Sequence, residues 1–232
     1  MTRAPDWILH ETREALFAEL AGTVAGELRK AITARGRATL AVSGGNTPAP
    51  FHRLLAREEV DWARVTVTLT DERLVDESSE RSNARMVRET LLTGPAAAAR
   101  FIPLWRDIAD RKALLAMACA DIEPCLPLDV CVAGMGEDCH TASLFPGAGE
   151  LAAALDPADG APLALVSPPG GLEPRLTLTG NVLRGARHPH LLIAGDGKRA
   201  AFARAEAASS TMEAPVRVLL DSARPLMIHF AP

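Results

Sequence analysis

Apolar and charged positions alternate at helical spacing over residues 11–35, which predicts a long amphipathic helix. The pattern then changes to a short apolar run, RATLAVS at 37–43, read as a strand. A turn, GGNTP, follows it, with Thr47 placed to cap a helix over 48–57 and Pro48 at its first position. VTVTLTDER at 65–73 opens with alternating β-branched residues and suits a strand. SNARMVRETLL, 82–92, is an amphipathic helix that Ser82 can cap, and residues 93–100 form a Gly, Pro and Ala-rich linker. DRKALLAMACADIEPCL is a further helix ending near Pro124. LDVCVAGMG, 128–136, is a continuous apolar run of the type buried on both faces of a sheet. ALVSPP, RLTLT, HLLIAG and PLMIHF supply more strands, and GKRAAFARAEAA, 197–208, a late helix. Strand and helix thus alternate almost throughout, which predicts an α/β domain with a largely parallel sheet and helices on both faces. The chain reads as one domain over 1–232, with residues 147–175, rich in Ala, Gly and Pro, as a small lobe or mobile loop.

In such sheets ligands bind beyond the carboxyl ends of the strands, so the residues following each strand carry the chemistry. Three strands end in able residues: SGGNTP after 37–42, TDER after 65–69 and GEDCHTAS after 128–133. They share one pocket if those strands are neighbours. In SGGNTP, Gly44 and Gly45 let the backbone approach a ligand, and Ser43, Asn46 and Thr47 surround the turn with polar groups. The following helix start would point free N–H groups at an anion. The plain alternative is a tight turn and nothing more. No Gly-Lys-Ser/Thr follows and no G-x-G-x-x-G is present, which disfavours a nucleotide. In TDER, Arg73 can grip a phosphate through two N–H groups, and Asp71 can orient a sugar hydroxyl or act as a base. An isolated D-E-R is more commonly a surface ion pair.

GMGEDCHTASLFP is the most telling stretch. A helix beginning at Thr141 or Ser143 would put His140 at its positive end, disfavour imidazolium and hold the ring neutral near pH 7, as a general base requires. Asp138 is placed to fix the ring tautomer, and backbone N–H groups at Gly136 and Thr141 are candidates for an oxyanion site. Against this stands the ordinary core or capping histidine. Lys198, just after a strand end in GDGK, and Arg175, in PPGGLEPRLTLT, are candidate phosphate partners or plain solvated cations. His188 and His190 share a strand face, but no third ligand of suitable spacing accompanies them, so no metal site is expected.

Bulk composition narrows the classes. A net charge of -4 gives no footprint for nucleic acid or an anionic membrane, so any anion must be held by a local site. No window approaches the roughly 18 uninterrupted apolar residues of a membrane span. The four cysteines form no C-x-x-C pair and the N-terminal stretch has no apolar signal core, which predicts a cytoplasmic location.

Taken in order, SGGNTP, the DER of TDERLVD, Ser82-Asn83, GMGEDCHTASLFP, PRLTLT and GDGK resemble the blocks of the 6-phosphogluconolactonase family, over almost the whole chain. The resemblance implies a Rossmann-like three-layer α/β/α fold with a mostly parallel sheet, in a superfamily shared with glucosamine-6-phosphate deaminase. It implies hydrolysis of a small sugar-phosphate lactone, 6-phospho-D-glucono-1,5-lactone, without metal or organic cofactor, by a monomer or weak homodimer. On the matching positions it makes His140 the base and Ser43, Gly44, Gly45 and Arg73 the phosphate-side residues, with Arg175 and Lys198 in looser blocks. One position departs: the family has glycine between Asp and His, and here it is Cys139. If that backbone needs positive φ, cysteine is strained there, and its thiol beside the base is a possible redox spot. The isomerase and deaminase branch resembles D-G-H-I-A-F-N-E-P, with a glutamate where this chain reads TASLFP and has no acid. A sugar-phosphate sensor is the third reading; such proteins carry a basic DNA-binding segment.

Overall fold

The computed structural model describes residues 4–158 and 160–232. The chain opens with β1 (Asp6–Leu9), α1 (Arg13–Arg35), β2 (Ala38–Val42), α2 (Ala49–Leu55), β3 (Val65–Leu69), β4 (Asp71–Arg73) and α3 (Asn83–Thr90). It continues with β5 (Arg100–Ile102), α4 (Arg111–Ile122), β6 (Val130–Ala133), α5 (Leu151–Leu155), β7 (Leu163–Val166) and β8 (Arg175–Leu178). It closes with α6 (Gly180–Arg184), β9 (His188–Ala194), α7 (Asp196–Ala207), α8 (Arg217–Leu220) and β10 (Met227–Ala231).

Seven strands form an all-parallel sheet in the order β1-β10-β9-β6-β2-β3-β5, flanked by helices. Every residue of β2 and β6 is buried, as their unbroken apolar sequences predict. α1 starts at Thr12, whose hydroxyl accepts from the Ala15 N–H, and stops at Gly36, whose left-handed φ of 73° only glycine takes without strain. Its buried face, Leu16, Leu20, Val24 and Leu28, packs over β2, β6 and β10. Ser82 and Asp110 cap α3 and α4 through their side chains, the first as the sequence predicts.

β6, β2 and β3 lie side by side, so the three strand ends singled out in the sequence are neighbours. Their register brings Val132 and Leu69 level with Val42, and the chain is still tied across the sheet one residue on, by Ser43 N–H to Val132 O and Thr70 N–H to Val42 O.

The structure adds a second, three-stranded antiparallel sheet in the order β4-β8-β7. The D-E-R segment, expected as a strand-end loop, is one of its strands. The 93–100 linker holds a 3₁₀ turn at Gly94–Ala98 and runs into β5. Two local expectations fail. Thr47 makes no cap: the N-cap of α2 is Pro48, without a side-chain bond. No helix begins at Thr141 or Ser143. Ala142 takes a φ of 48°, and Thr141 pairs with Leu144 in an isolated bridge. The next helix is α5, seven residues further on than Leu144.

Candidate active site

A cavity lies across the carboxyl ends of β6, β2 and β3. Ser43, Gly44, Gly45, Asn46 and Thr47 line it from the first loop, Asp71 and Arg73 from β4, Gly136 and His140 from the third loop, Arg175 from β8 and Lys198 from α7. Asp138 and Thr141 do not line it. Thr141 is fully buried, its hydroxyl donating to Gly134 O at 2.8 Å.

His140 Nδ1 sits 2.6 Å from Asp138 Oδ1. A carboxylate there accepts the Nδ1–H, fixes that tautomer and leaves Nε2 with its lone pair. Burial pushes the Asp138 carboxyl up, but the charge and hydrogen bonds of His140 outweigh it and hold it below the usual range. The imidazole packs on Phe145, ring centroids 4.5 Å apart. Support for the His140 ring thus comes from a carboxylate and an aromatic face; the expected helix start is absent.

The loop that carries His140 is closed on itself. Gly136 N–H donates to His140 O, Cys139 N–H to Gly136 O, and His140 N–H to Asp138 Oδ1. Gly136 therefore has no N–H left for an oxyanion, which corrects that expectation. Its glycine is needed for space: a Cβ there would fall 2.2 Å from His140 Nδ1. Cys139 stands at a φ of 67°, the left-handed conformation that explains glycine at this position in the family motif. Its thiol is buried and lies 3.2 Å from Ala201 O on α7, and its carbonyl accepts from Val216 N–H. Burial pushes the thiol up, so it is a protonated anchor and not a reactive thiolate.

Asp71 is buried with both oxygens engaged, Oδ1 by Thr70 Oγ1 at 3.1 Å and Oδ2 by Ser143 Oγ at 2.6 Å. Held so, it is a fixed acceptor, better suited to orienting a hydroxyl than to taking a proton. Arg73 and Arg175 are register partners across β4 and β8, which sets two guanidiniums side by side. Burial, then the charge of Arg73, holds Arg175 below the usual guanidinium range. Their hydrogen bonds go to carbonyls, Arg73 to Arg81 O and Arg175 to Glu173 O, and Glu173 is itself ion-paired with Arg81. Among the described residues neither guanidinium is ion-paired with a carboxylate, although the charges of Asp71 and Glu173 reach Arg175, and the two cations line the cavity in an arrangement that suits a dianion.

Sequence reasoning passed over Phe145 and gave Asn83 no role. Asn83 lines the cavity, and its Nδ2 donates to Asp71 O at 2.8 Å. Its sequence signals are its place after the Ser82 cap and its part in the Ser82-Asn83 block of the family resemblance. His188 and His190 stand far from this chemistry: both meet Glu27, at 3.2 and 2.8 Å.

Fold and cavity define a class, the α/β proteins with a cationic cleft at the switch point of a parallel sheet. The family follows from comparison. Residues 11–227 match the family described as glucosamine-6-phosphate isomerases/6-phosphogluconolactonase, and the chain belongs to it. The chain is 46% identical over 226 residues to a 6-phosphogluconolactonase of Rhizobium meliloti (strain 1021), covering 97% of each. It is 44% identical over 229 residues to one of Mesorhizobium japonicum, covering 98% of this chain and 95% of that one. Among solved structures, a 6-phosphogluconolactonase from Shewanella baltica OS155 matches with a TM-score of 0.94 at 32% identity, both chains fully covered. The family suggested by the sequence motifs is the one found.

Proposed function

We propose that this chain hydrolyses 6-phospho-D-glucono-1,5-lactone to 6-phosphogluconate, with His140 as general base. The observation that carries the reading is the Asp138-supported imidazole sharing one cavity with the Ser43–Asn46 turn and the Arg73–Arg175 pair. The substrate phosphate docks on the turn and the two arginines, and remote binding of that dianion orients the lactone carbonyl beside His140. Nε2 takes a proton from water as the water oxygen bonds to C1. The carbonyl π pair moves onto oxygen, and a cationic side chain of the cavity steadies that oxyanion in place of Gly136. The intermediate then collapses: the C1–ring oxygen bond breaks and the ring oxygen takes the proton from His140. Asp138 stabilises the imidazolium between the two transfers.

The isomerase and deaminase branch is disfavoured by one contact. The residue five places after His140, where the D-G-H-I-A-F-N-E-P motif has its glutamate, is Phe145, and its ring packs on the imidazole. Purified protein should accelerate lactone disappearance above the spontaneous rate and release no ammonia from glucosamine 6-phosphate. Ammonia release without lactone hydrolysis would move the chain to the other branch. A thermal shift with phosphogluconate but no turnover of either substrate would make it a sensor.

A further inference from the structure

The two glycines of the Ser43–Asn46 turn are required for different reasons. Gly45 has a φ of 100° and open space where a side chain would go, so its requirement is conformational. Gly44 has no positive φ; its obstacle is spatial. A Cβ there would lie 1.9 Å from Asn83 Oδ1 and 2.1 Å from Asn83 Cγ. The Asn83 amide therefore occupies the space that a Gly44 side chain would take.

Asn83 is held in that place from behind. The buried carboxylate of Glu72 accepts from Arg73 N–H and Asn83 N–H at 2.8 Å each, from Ala84 N–H at 2.7 Å and from Ser82 Oγ at 3.2 Å. One side chain thus ties β4 to the first turn of α3 with four donors, and Asn83 Nδ2 completes the tie by donating to Asp71 O. Glu72 is fully buried, so it works on the elements and not on a ligand.

We propose that Asn83, anchored by Glu72, is a positioning residue that sets the shape of the anion-holding turn through its contact with Gly44. The clasp links the turn after β2 to the strand that carries Asp71 and Arg73, so both halves of the phosphate site keep one spacing. The inference rests on the reading of that turn as the phosphate seat.

The test is a double-mutant cycle on the full chain with Gly44→Ala, Asn83→Gly and the pair, each checked for native circular dichroism. Lactone kinetics and phosphogluconate affinity are measured for all. Gly44→Ala should raise KM and weaken phosphogluconate binding by about tenfold or more, with kcat within roughly threefold. Asn83→Gly alone should raise KM by roughly threefold. The pair should recover to near the Asn83→Gly value, because removing the amide makes room for the added methyl. Additive losses in the pair would overturn the clasp, since Asn83 would then act by touching substrate. An unaltered KM in Gly44→Ala would instead overturn the phosphate reading of the turn. Glu72→Gln, which puts an NH₂ against one of the four donors, should raise KM several-fold at near-constant kcat; loss in kcat alone would count against the anchor.

Discussion

At the scale of the residue, Cys139 is where this chain departs most clearly from its family motif, and its backbone explains both the rule and the exception. Left-handed φ costs a non-glycine residue about 1 kcal/mol or more. The buried thiol, lodged against Ala201 O, offsets part of that cost. Cys139→Gly should therefore leave stability within about 1 kcal/mol of the parent and preserve turnover. Cys139→Val, β-branched at positive φ, should lower Tm by roughly 5 °C or more. Thermal melts decide: equal tolerance of valine and glycine would mean that the backbone is not the constraint. The need for positive φ could be suspected from the Asp-Cys-His spelling alone. The Gly136 bond could not, because a glycine among acids looks the same whether its N–H is spent inside the turn or offered to a ligand. Thr47 misleads similarly: a threonine before a proline resembles a cap, yet Pro48 itself occupies that position.

At the scale of the element, the second sheet turns a modest motif into a site. β4 has three residues, too few for an alternating pattern to register, and its partner β8 lies about a hundred residues away in sequence. Arg73 and Arg175 were each visible as candidates, but nothing local could pair them. Their adjacency predicts shared work on one dianion. Arg73→Ala and Arg175→Ala should each raise KM by about tenfold or more while changing kcat less. Steady-state kinetics at fixed ionic strength are the check, and an unchanged KM removes that arginine from the phosphate site. The helix expected after His140 failed on backbone grounds: Ala142 and Gly147 both take positive φ, and Pro146 stands between them. The sequence showed small polar residues in a helix-starting order without showing these breaks.

At the scale of the whole molecule, the parallel sheet was the part most open to sequence reading, because unbroken apolar runs such as β2 and β6 suit strands buried on both faces, whereas the order that makes β6, β2 and β3 neighbours was left as a condition. Buried polar groups were less open. His52 and His229 gave no signal in the sequence, yet both are fully enclosed. Burial, aided by the charge of Arg53, lowers His52 to about 3. Burial, then the nearby His190 and His10, lowers His229 to about 3. His229 lies 3.1 Å from His190, which in turn meets Glu27 of α1, and it stacks on His10. The fold keeps His52 and His229 neutral, whereas in the unfolded chain each binds a proton near pH 6.5. Stability is therefore full above about pH 6.5 and falls as pH drops toward 3, by up to about 1.4 kcal/mol per pH unit for each ring. Denaturant unfolding at pH 7.5 and 5.5 should show the loss, and His229→Gln should flatten the slope. Equal stability at the two pH values would contradict the neutral assignment.

The central claim concerns one ring and one far-off anion in a shared cavity. It is tested most directly by measuring kcat and phosphogluconate affinity together for His140→Ala. A fall in kcat of roughly 100-fold or more, with affinity within about threefold of the parent, is the expected result. A kcat reduced less than about tenfold would remove His140 as the base, and an equal loss of affinity would make it a binding group instead.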